Sequence, residues 1–407
     1  MRKGWKVKFL LLSLLLVMAV TLAFLGTGSE GNENSAYDEP VGEMSSSELR
    51  IEGFGRNTRG GAGGTLYTVT TLSDSGPCSL RDYLSRKGPR IIKFGISGTI
   101  ELKSNLEITE PFVTIDGSDA PFGGVAIRGA ALGIYTDNVI VRYIRFRSGE
   151  VTDLSVDSIQ IGSNNGSRAS NVVLDHISAS WGDDGNIDIT GNAQNVTVQW
   201  SILSEDFGPG AMLIGYGTPT VSVHHNLFAH NSARNPEVIS GNVDFVNNVV
   251  YNYGGPSYAA AWEGTTHVNF VANFYKAGVD SLPGEKNKFE IYLRDRQYGQ
   301  GSTNFIQGNI GAKRPTDDLD EWSLVRAEDL MKASRIDTRH DYPLITTHSA
   351  LAAYDLVMAQ AGARLPCLDS VDRRVLADVK NGTGSIIKST TRLGGWPDLT
   401  KPCGSQN

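Results

Sequence analysis

The sequence predicts an all-β chain wound as a right-handed, single-stranded parallel β-helix, with a helical and looped C-terminal segment packed on it. Three observations predict this. First, the segments Asn138-Val-Ile-Val, Asn171-Val-Val-Leu, Asn195-Val-Thr-Val, Thr220-Val-Ser-Val, Asn242-Val-Asp-Phe and His267-Val-Asn-Phe recur at a nearly constant interval after the first, wider step. Second, another set interleaves with them: Ser158-Ile-Gln-Ile, Asn186-Ile-Asp-Ile, Ala211-Met-Leu-Ile, Glu237-Val-Ile and Glu290-Ile-Tyr-Leu. Its ends at Ile161, Ile189, Ile214 and Ile239 keep nearly the same interval. Third, Asn226, Asn248, Asn273 and Asn309 follow the first set at one offset, the last more loosely.

Each element has a physical reason. Short, alternating, β-branched runs suit strands and not helices. Two strand sets within one repeat give each coil a strand in at least two parallel sheets, which is the pattern of a solenoid. Asparagine is a poor strand residue, so its return at one phase calls for amides bonding from coil to coil. A β-sandwich would show more closely spaced turn signals and tight hairpin dipeptides between successive strands, and neither is present. Helical grouping is confined mainly to the C-terminal part, in Ser349 to Gln360 and in Val371 to Val379, which stops at Asn381-Gly382. These helices are expected to cover a face or an end of the solenoid.

The domain organisation follows. Arg2, Lys3, Lys6 and Lys8 precede an apolar run from Phe9 to Leu25, so residues 1–28 read as a signal peptide or N-terminal anchor. Residues 29–48 read as an acidic flexible linker, 49–340 as the β-helix and 341–407 as the C-terminal segment. Either reading of the leader places the folded part outside the cytoplasm. There Cys367 and Cys403 have an oxidising setting in which to pair, with Cys78 left over; three unpaired thiols are the alternative. A net charge of −7 argues against nucleic acid or any other polyanion bound through the bulk field. An acidic ligand would need local cations or a bridging metal. No protein partner is implied, and a monomer is expected.

Aligning the coils on the second strand set gathers chemistry on one face. Asp157 lies four residues before Ile161, Asp184 five before Ile189 and Asp188 one before it. Arg234 lies five before Ile239, in the phase of Asp184 two coils on. Three carboxylates suit Ca²⁺, which takes roughly 6 to 8 oxygens, with water or an acidic ligand completing the shell. The competing reading is a solvated acidic patch at turns. Asp175-His176 and His224-His225 fall in the first strand set, away from the acids, and read as structural.

Certain segments also resemble the pectate lyases of the first polysaccharide lyase family, from about Ile51 to Pro397. They are Glu52-Gly-Phe-Gly, Gly60-Gly-Ala-Gly-Gly, Ser75-Gly-Pro-Cys-Ser-Leu-Arg81, Gly95-Ile-Ser-Gly-Thr-Ile and Thr114-Ile-Asp-Gly, followed by Val141-Arg-Tyr-Ile-Arg-Phe-Arg147, Leu174-Asp-His-Ile-Ser-Ala-Ser-Trp181 and Arg234-Asn-Pro. The resemblance implies a secreted enzyme that cleaves polygalacturonate, the pectin backbone, by Ca²⁺-dependent β-elimination to unsaturated oligogalacturonides. It implies that Asp157, Asp184 and Asp188 hold the calcium and that Arg234 removes the C5 proton, or else clamps a uronate carboxylate. Two positions depart from the family pattern: Gly210 stands where many members have a substrate lysine, and Ile239 where some have a second arginine. Arg294 and Arg296 are candidate replacement cations. A lyase for methylated or non-pectic uronate and a non-catalytic polysaccharide-binding solenoid stay open as alternatives.

Overall fold

The valine at the second position of each segment of the first set is the residue that stacks. Val139, Val172, Val196, Val221, Val243 and Val268 lie opposite one another in successive strands, all fully buried. The computed structural model describes residues 50–150, 157–281, 289–393 and 395–405; the expected leader and linker lie outside them. Apart from a small antiparallel hairpin, Ser163–Asn164 with Ser167–Arg168 around Asn165-Gly166, which is not expected from the sequence, the strands of the described residues form three sheets of ten, nine and eight strands, paired in parallel from coil to coil. The ten-stranded sheet contains the first strand set, from Thr65–Val69 to Thr303–Gln307, and the nine-stranded sheet the second, from Leu106–Ile108 to Val325–Ala327. The parallel β-helix read from the repeat is the fold.

The eight-stranded sheet went unread because strands such as Ile202–Ser204 and Leu227–Ala229 are buried at every residue. With both faces covered, no polar and apolar alternation marks them. The structure also corrects the expected register. Ile214 pairs with Val238 and not Ile239, and the small strand Ser257–Ala259 follows next in the sheet. Val238 and Ile239 are both buried, Val238 in the main core and Ile239 against Leu213 and Ala260. An apolar pair with both members buried gives a pattern reader no basis for choosing between them.

The asparagine ladder is present. The Asn226 N–H donates to Asn248 Oδ1 (3.0 Å), the Asn248 N–H to Asn273 Oδ1 (2.9 Å) and the Asn273 N–H to Asn309 Oδ1 (3.0 Å). The four side-chain amides donate in turn to the carbonyls of Val198, Val223, Phe245 and Phe270. For three of the four, the residue before it (His225, Asn247 and Ala272) has a φ of +50 to +55°, which bends the chain sharply from one sheet to the next. The bend leaves backbone N–H groups pointing along the stack, and the amides of the neighbouring coil satisfy them.

Two sheets are covered from outside. The turn Phe54–Asn57 crosses the ten-stranded sheet, where the Gly55 N–H donates to Thr197 Oγ1 (2.8 Å) and the Phe54 N–H to Ser222 Oγ (3.0 Å). The stretch from Arg339 to His348 lies on the same sheet through Asp244, Asn269 and Asn247. Helices Ala350–Gln360 and Ser370–Asn381 start at Ser349 and Asp369 caps, and the second stops at Gly382 with a φ of +73°. They pack Val357, Val371, Val375 and Val379 onto Trp181, Ile202, Leu227 and Val249 of the eight-stranded side. An ionic cluster pins this cover: Arg147 donates to Asp369 (2.8 Å) and Asp372 (2.9 Å), and all three are at most 1% exposed. A Cys367–Cys403 disulfide closes the segment, and Cys78 is free.

Removing one amide from the ladder leaves buried partners unmet above and below it. Asn248→Ala is expected to lower stability by about 2 to 4 kcal/mol, read as a lower urea midpoint at unchanged slope.

Candidate active site

The nine-stranded sheet carries neither of these covers among the described residues. Its inward side chains are the core isoleucines, so by alternation its outward ones form a column. In register order these are Gln160, Asp188, Leu213, Glu237, Tyr258, Tyr292 and Arg326. Asp157 begins its strand opposite Gly185, with Asp184 just before that glycine. The structure thus sets Asp157, Asp184 and Asp188 on two adjacent strands.

Their environments differ. Asp157 is 2% exposed and accepts one hydrogen bond at Oδ2 from the Gln160 amide (3.0 Å), whereas Asp184 is exposed. Asp157 Oδ1 and Asp188 Oδ1 are buried without a hydrogen-bond partner. A methyl built on Gly185 would lie 2.9 Å from Asp157 Oδ1, 3.7 Å from Asp188 Oδ1 and 3.2 Å from the Gly210 carbonyl oxygen. Three oxygens around one point, two of them unpaired carboxylate oxygens, suit a hard cation. As they stand, no three acidic, imidazole or thiol side chains among the described residues are gathered at metal-holding distance.

Burial dominates the electrostatics. It raises the Asp157 carboxyl to about 6, against the Gln160 hydrogen bond and with Asp184 adding to the rise. It raises the Asp188 carboxyl to about 8, with the Asp157 charge adding and Arg234 opposing. The field of Arg234 reaches both acids, so the four residues form one electrostatic unit.

Arg234 stands at the end of a close backbone approach. The Ala211 N–H donates to Ala233 O (3.0 Å) and the Met212 N–H to Arg234 O (2.9 Å). With Val238 as the true partner of Ile214, Ala233 and not Arg234 is in phase with Asp184. Arg234 sits one residue on, opposite Gly210, with a φ of +51°. A methyl on Gly210 would come within 2.5 Å of both Ala233 O and Arg234 Cβ. A lysine at 210 therefore has no room on this backbone. The Arg234 guanidinium turns Nε to Glu237 Oε2 (3.4 Å), and burial raises the Glu237 carboxyl.

The other candidates are placed as follows. Arg294 lies 5.5 Å over the rings of both Tyr258 and Tyr292 and 3.8 Å from Glu237 Oε1. Arg296 is exposed, 5.8 Å from the Trp262 ring. Sequence reasoning missed Gln160, Glu237, Tyr258 and Tyr292 as members of this surface. The outward middle positions of Ser158-Ile-Gln-Ile and Glu290-Ile-Tyr-Leu were the available signal for two of them. His176 is elsewhere, on the ten-stranded side, bonded to Asp175 (2.9 Å) and stacked between Tyr143 and Trp200. His225 bonds both His224 (3.0 Å) and His348 (3.1 Å).

No family model matches the chain. Over 360 residues it is 34% identical to a protein of Aspergillus terreus named probable pectate lyase C, across 86% of this chain and 81% of that one. A protein of the same name from Aspergillus oryzae is 33% identical over 363 residues, with the same coverage. The chain belongs to the pectate lyases. The fold agrees with a solved pectate lyase from Bacillus sp. N165 in complex with trigalacturonate. That likeness has a TM-score of 0.55 at 18% identity and covers 77% of this chain and 98% of the other. Among the described residues of this pectate lyase, no helix is long and apolar enough to cross a membrane.

Raised carboxyls mean that the folded chain holds protons the unfolded chain gives up near pH 4. Their stabilisation is complete below about pH 4 and is lost as pH rises through about 6 for Asp157 and about 8 for Asp188. In the presence of a chelator, the melting temperature is expected to fall as pH rises from about 4 to about 8. Asp188→Asn is expected to flatten that fall by several degrees.

Proposed function

We propose that this enzyme cleaves α-1,4-linked polygalacturonate by Ca²⁺-dependent β-elimination outside the cell. Asp157, Asp184 and Asp188 hold the cation, and Arg234 takes the C5 proton. The observation that carries this reading is the pair of buried, unpartnered oxygens, Asp157 Oδ1 and Asp188 Oδ1, within the field of Arg234. Buried carboxylate oxygens without partners are costly, and a cation relieves them.

The chemistry fits the parts. The C5 hydrogen is α to the uronate carboxylate, which resists further negative charge. When bound, Ca²⁺ neutralises that carboxylate and stabilises the charge developing on it. With Nε turned to Glu237, Arg234 in its neutral guanidine form accepts the C5 proton at a terminal nitrogen and becomes the guanidinium. The C5–H electron pair becomes the C4–C5 double bond, the C4–O4 bond breaks, and O4 takes a proton from water, giving an unsaturated uronide and a free hydroxyl. A guanidinium must first lose a proton to act as a base, and its pKa lies above about 12, so the reaction belongs to alkaline pH. The cation also lets a chain of net charge −7 hold an acidic polymer. The trigalacturonate of the Bacillus neighbour and the leader read in residues 1–28 support the substrate and the location.

The test is absorbance of the unsaturated uronide during incubation with polygalacturonate at alkaline pH. Product is expected with calcium and not with chelator, and Arg234→Ala should lower the rate by about 10³-fold. No product from the folded protein would overturn the lyase reading.

The metal site has its own readout. Calcium should raise the melting temperature, more at pH 8 than at pH 5, because cation binding displaces protons from the raised carboxyls. Gly185→Ala, which fills the space between the oxygens, should abolish that rise.

A further inference from the structure

Beyond Arg234, Arg294 reaches into the site as an ion pair to Glu237, on which the charge of Arg296 also acts. The Ile239 N–H donates to Ile214 O (2.8 Å), the Ala260 N–H to Val238 O (2.7 Å) and the Arg294 N–H to Ala259 O (2.8 Å). Ile239, Ala260 and Arg294 are therefore one column on successive strands, beside the column of Glu237, Tyr258 and Tyr292. Two strand steps separate the Arg294 backbone from the level of Glu237, roughly 10 Å along the stack. The side chain closes that gap: its Nη1 is 3.8 Å from Glu237 Oε1. The small Ala260 leaves room for this return path.

The rest of the side chain is held from below. Its guanidinium lies over both Tyr258 and Tyr292, and the Tyr292 hydroxyl is fixed by donating to Glu328 Oε1 (2.6 Å). Stacking on rings orients a guanidinium without using its N–H donors. Arg294 Nε has no hydrogen-bond partner, and 3.8 Å to Glu237 is an ion pair beyond hydrogen-bond range. Glu237 thus lies between two guanidiniums, at 3.4 Å from Arg234 and 3.8 Å from Arg294. The Glu237 carboxylate fills the space between these arginines, but at 3.8 Å it takes no hydrogen bond from Arg294, whose donors are left for a second carboxylate.

We propose that Arg294 is a specificity-determining residue, a stacked clamp for a uronate carboxylate of the acidic polysaccharide, next to the sugar that Arg234 acts on. The proposal rests on the polyuronate reading of this site. The bidentate fork of Arg294 takes two carboxylate oxygens. A methyl ester, being neutral, gains nothing from it. Arg294 therefore sets the preference for free acid over ester.

The experiment is calorimetric binding of trigalacturonate and of its methyl ester, with calcium present, to the wild type, Arg294→Ala and Arg294→Lys. Melting curves check that each variant is folded. Arg294→Ala is expected to weaken trigalacturonate binding about tenfold, the worth of a charge-assisted hydrogen bond, and to leave the ester within about twofold. Arg294→Lys keeps the charge but not the fork, and should recover only part of the loss. It also keeps the test decisive if the alanine variant does not fold. On polygalacturonate the alanine variant should raise KM by a similar factor with kcat nearly unchanged.

Unchanged trigalacturonate binding in a folded variant would overturn the clamp, as would an equal loss for acid and ester. A wild type that binds no trigalacturonate also overturns it. If the wild type releases no unsaturated product and yet Arg294→Ala weakens trigalacturonate binding selectively, the clamp stands and the lyase reading falls.

Discussion

Everything in this structure depends on coils stacking in register at one strand spacing, roughly 4.8 Å. A single-strand coil has no hydrophobic interior of its own. It becomes stable only when its inward valines and isoleucines meet those of the coils above and below. The register must hold at every step, since a slip by one residue would turn the core outward. Two devices enforce it: the valine column of the ten-stranded sheet and the asparagine ladder at the bend. The first is non-directional and large in area. The second is directional, and any slip leaves buried amides without partners.

The same rule that builds the core builds the site. Once the inward residues are fixed, each outward residue falls into a column whose neighbours come from coils a full repeat away in sequence. Asp157, Asp188 and Glu237 are brought together by this ruler and not by local sequence. The covers then select the working face. The N-terminal crossing and the C-terminal helices close two sheets. The Arg147–Asp369–Asp372 cluster fixes the second cover with charges that find opposite charges inside the protein. At the site, by contrast, burial is shared by acids of like sign. One arrangement is closed upon itself. The other holds two carboxylate oxygens with no partner inside the protein, which the proposed function assigns to a cation.

How much of this was legible follows from the same physics. Periodic features could be read: the valine phase, the asparagine phase, and the C-terminal helices with their Ser349 and Gly382 boundaries. Strands such as Leu227–Ala229 could not, because they are buried on both faces and so carry no alternation. The misplacement of Ile239 had a different origin, two buried neighbours of which only one faces the core. Asp157, Asp184 and Asp188 could be gathered because their strands had clean isoleucine markers. Arg234 was placed one residue out because its strand did not. The role of Gly210 was invisible, since a contact between two backbones leaves no pattern in side-chain type.

That last contact shows what a substitution at one position demands of another. Gly210 passes so near Ala233 and Arg234 that any side chain there would push on the turn carrying Arg234. The turn itself holds a non-glycine residue at a φ of +51°, a conformation that persists only when its surroundings fix it. A cation at 210 and the present placement of Arg234 are therefore mutually exclusive on this backbone. Positive charge has to arrive from a coil where the outward column has room. Ala260 provides that room, and Arg294 uses it to lie back across two aromatic rings toward Glu237. In a stacked fold a charge can move along the axis by whole coils while the chemistry it serves stays where it is. A long side chain on a ring platform is the means by which it returns.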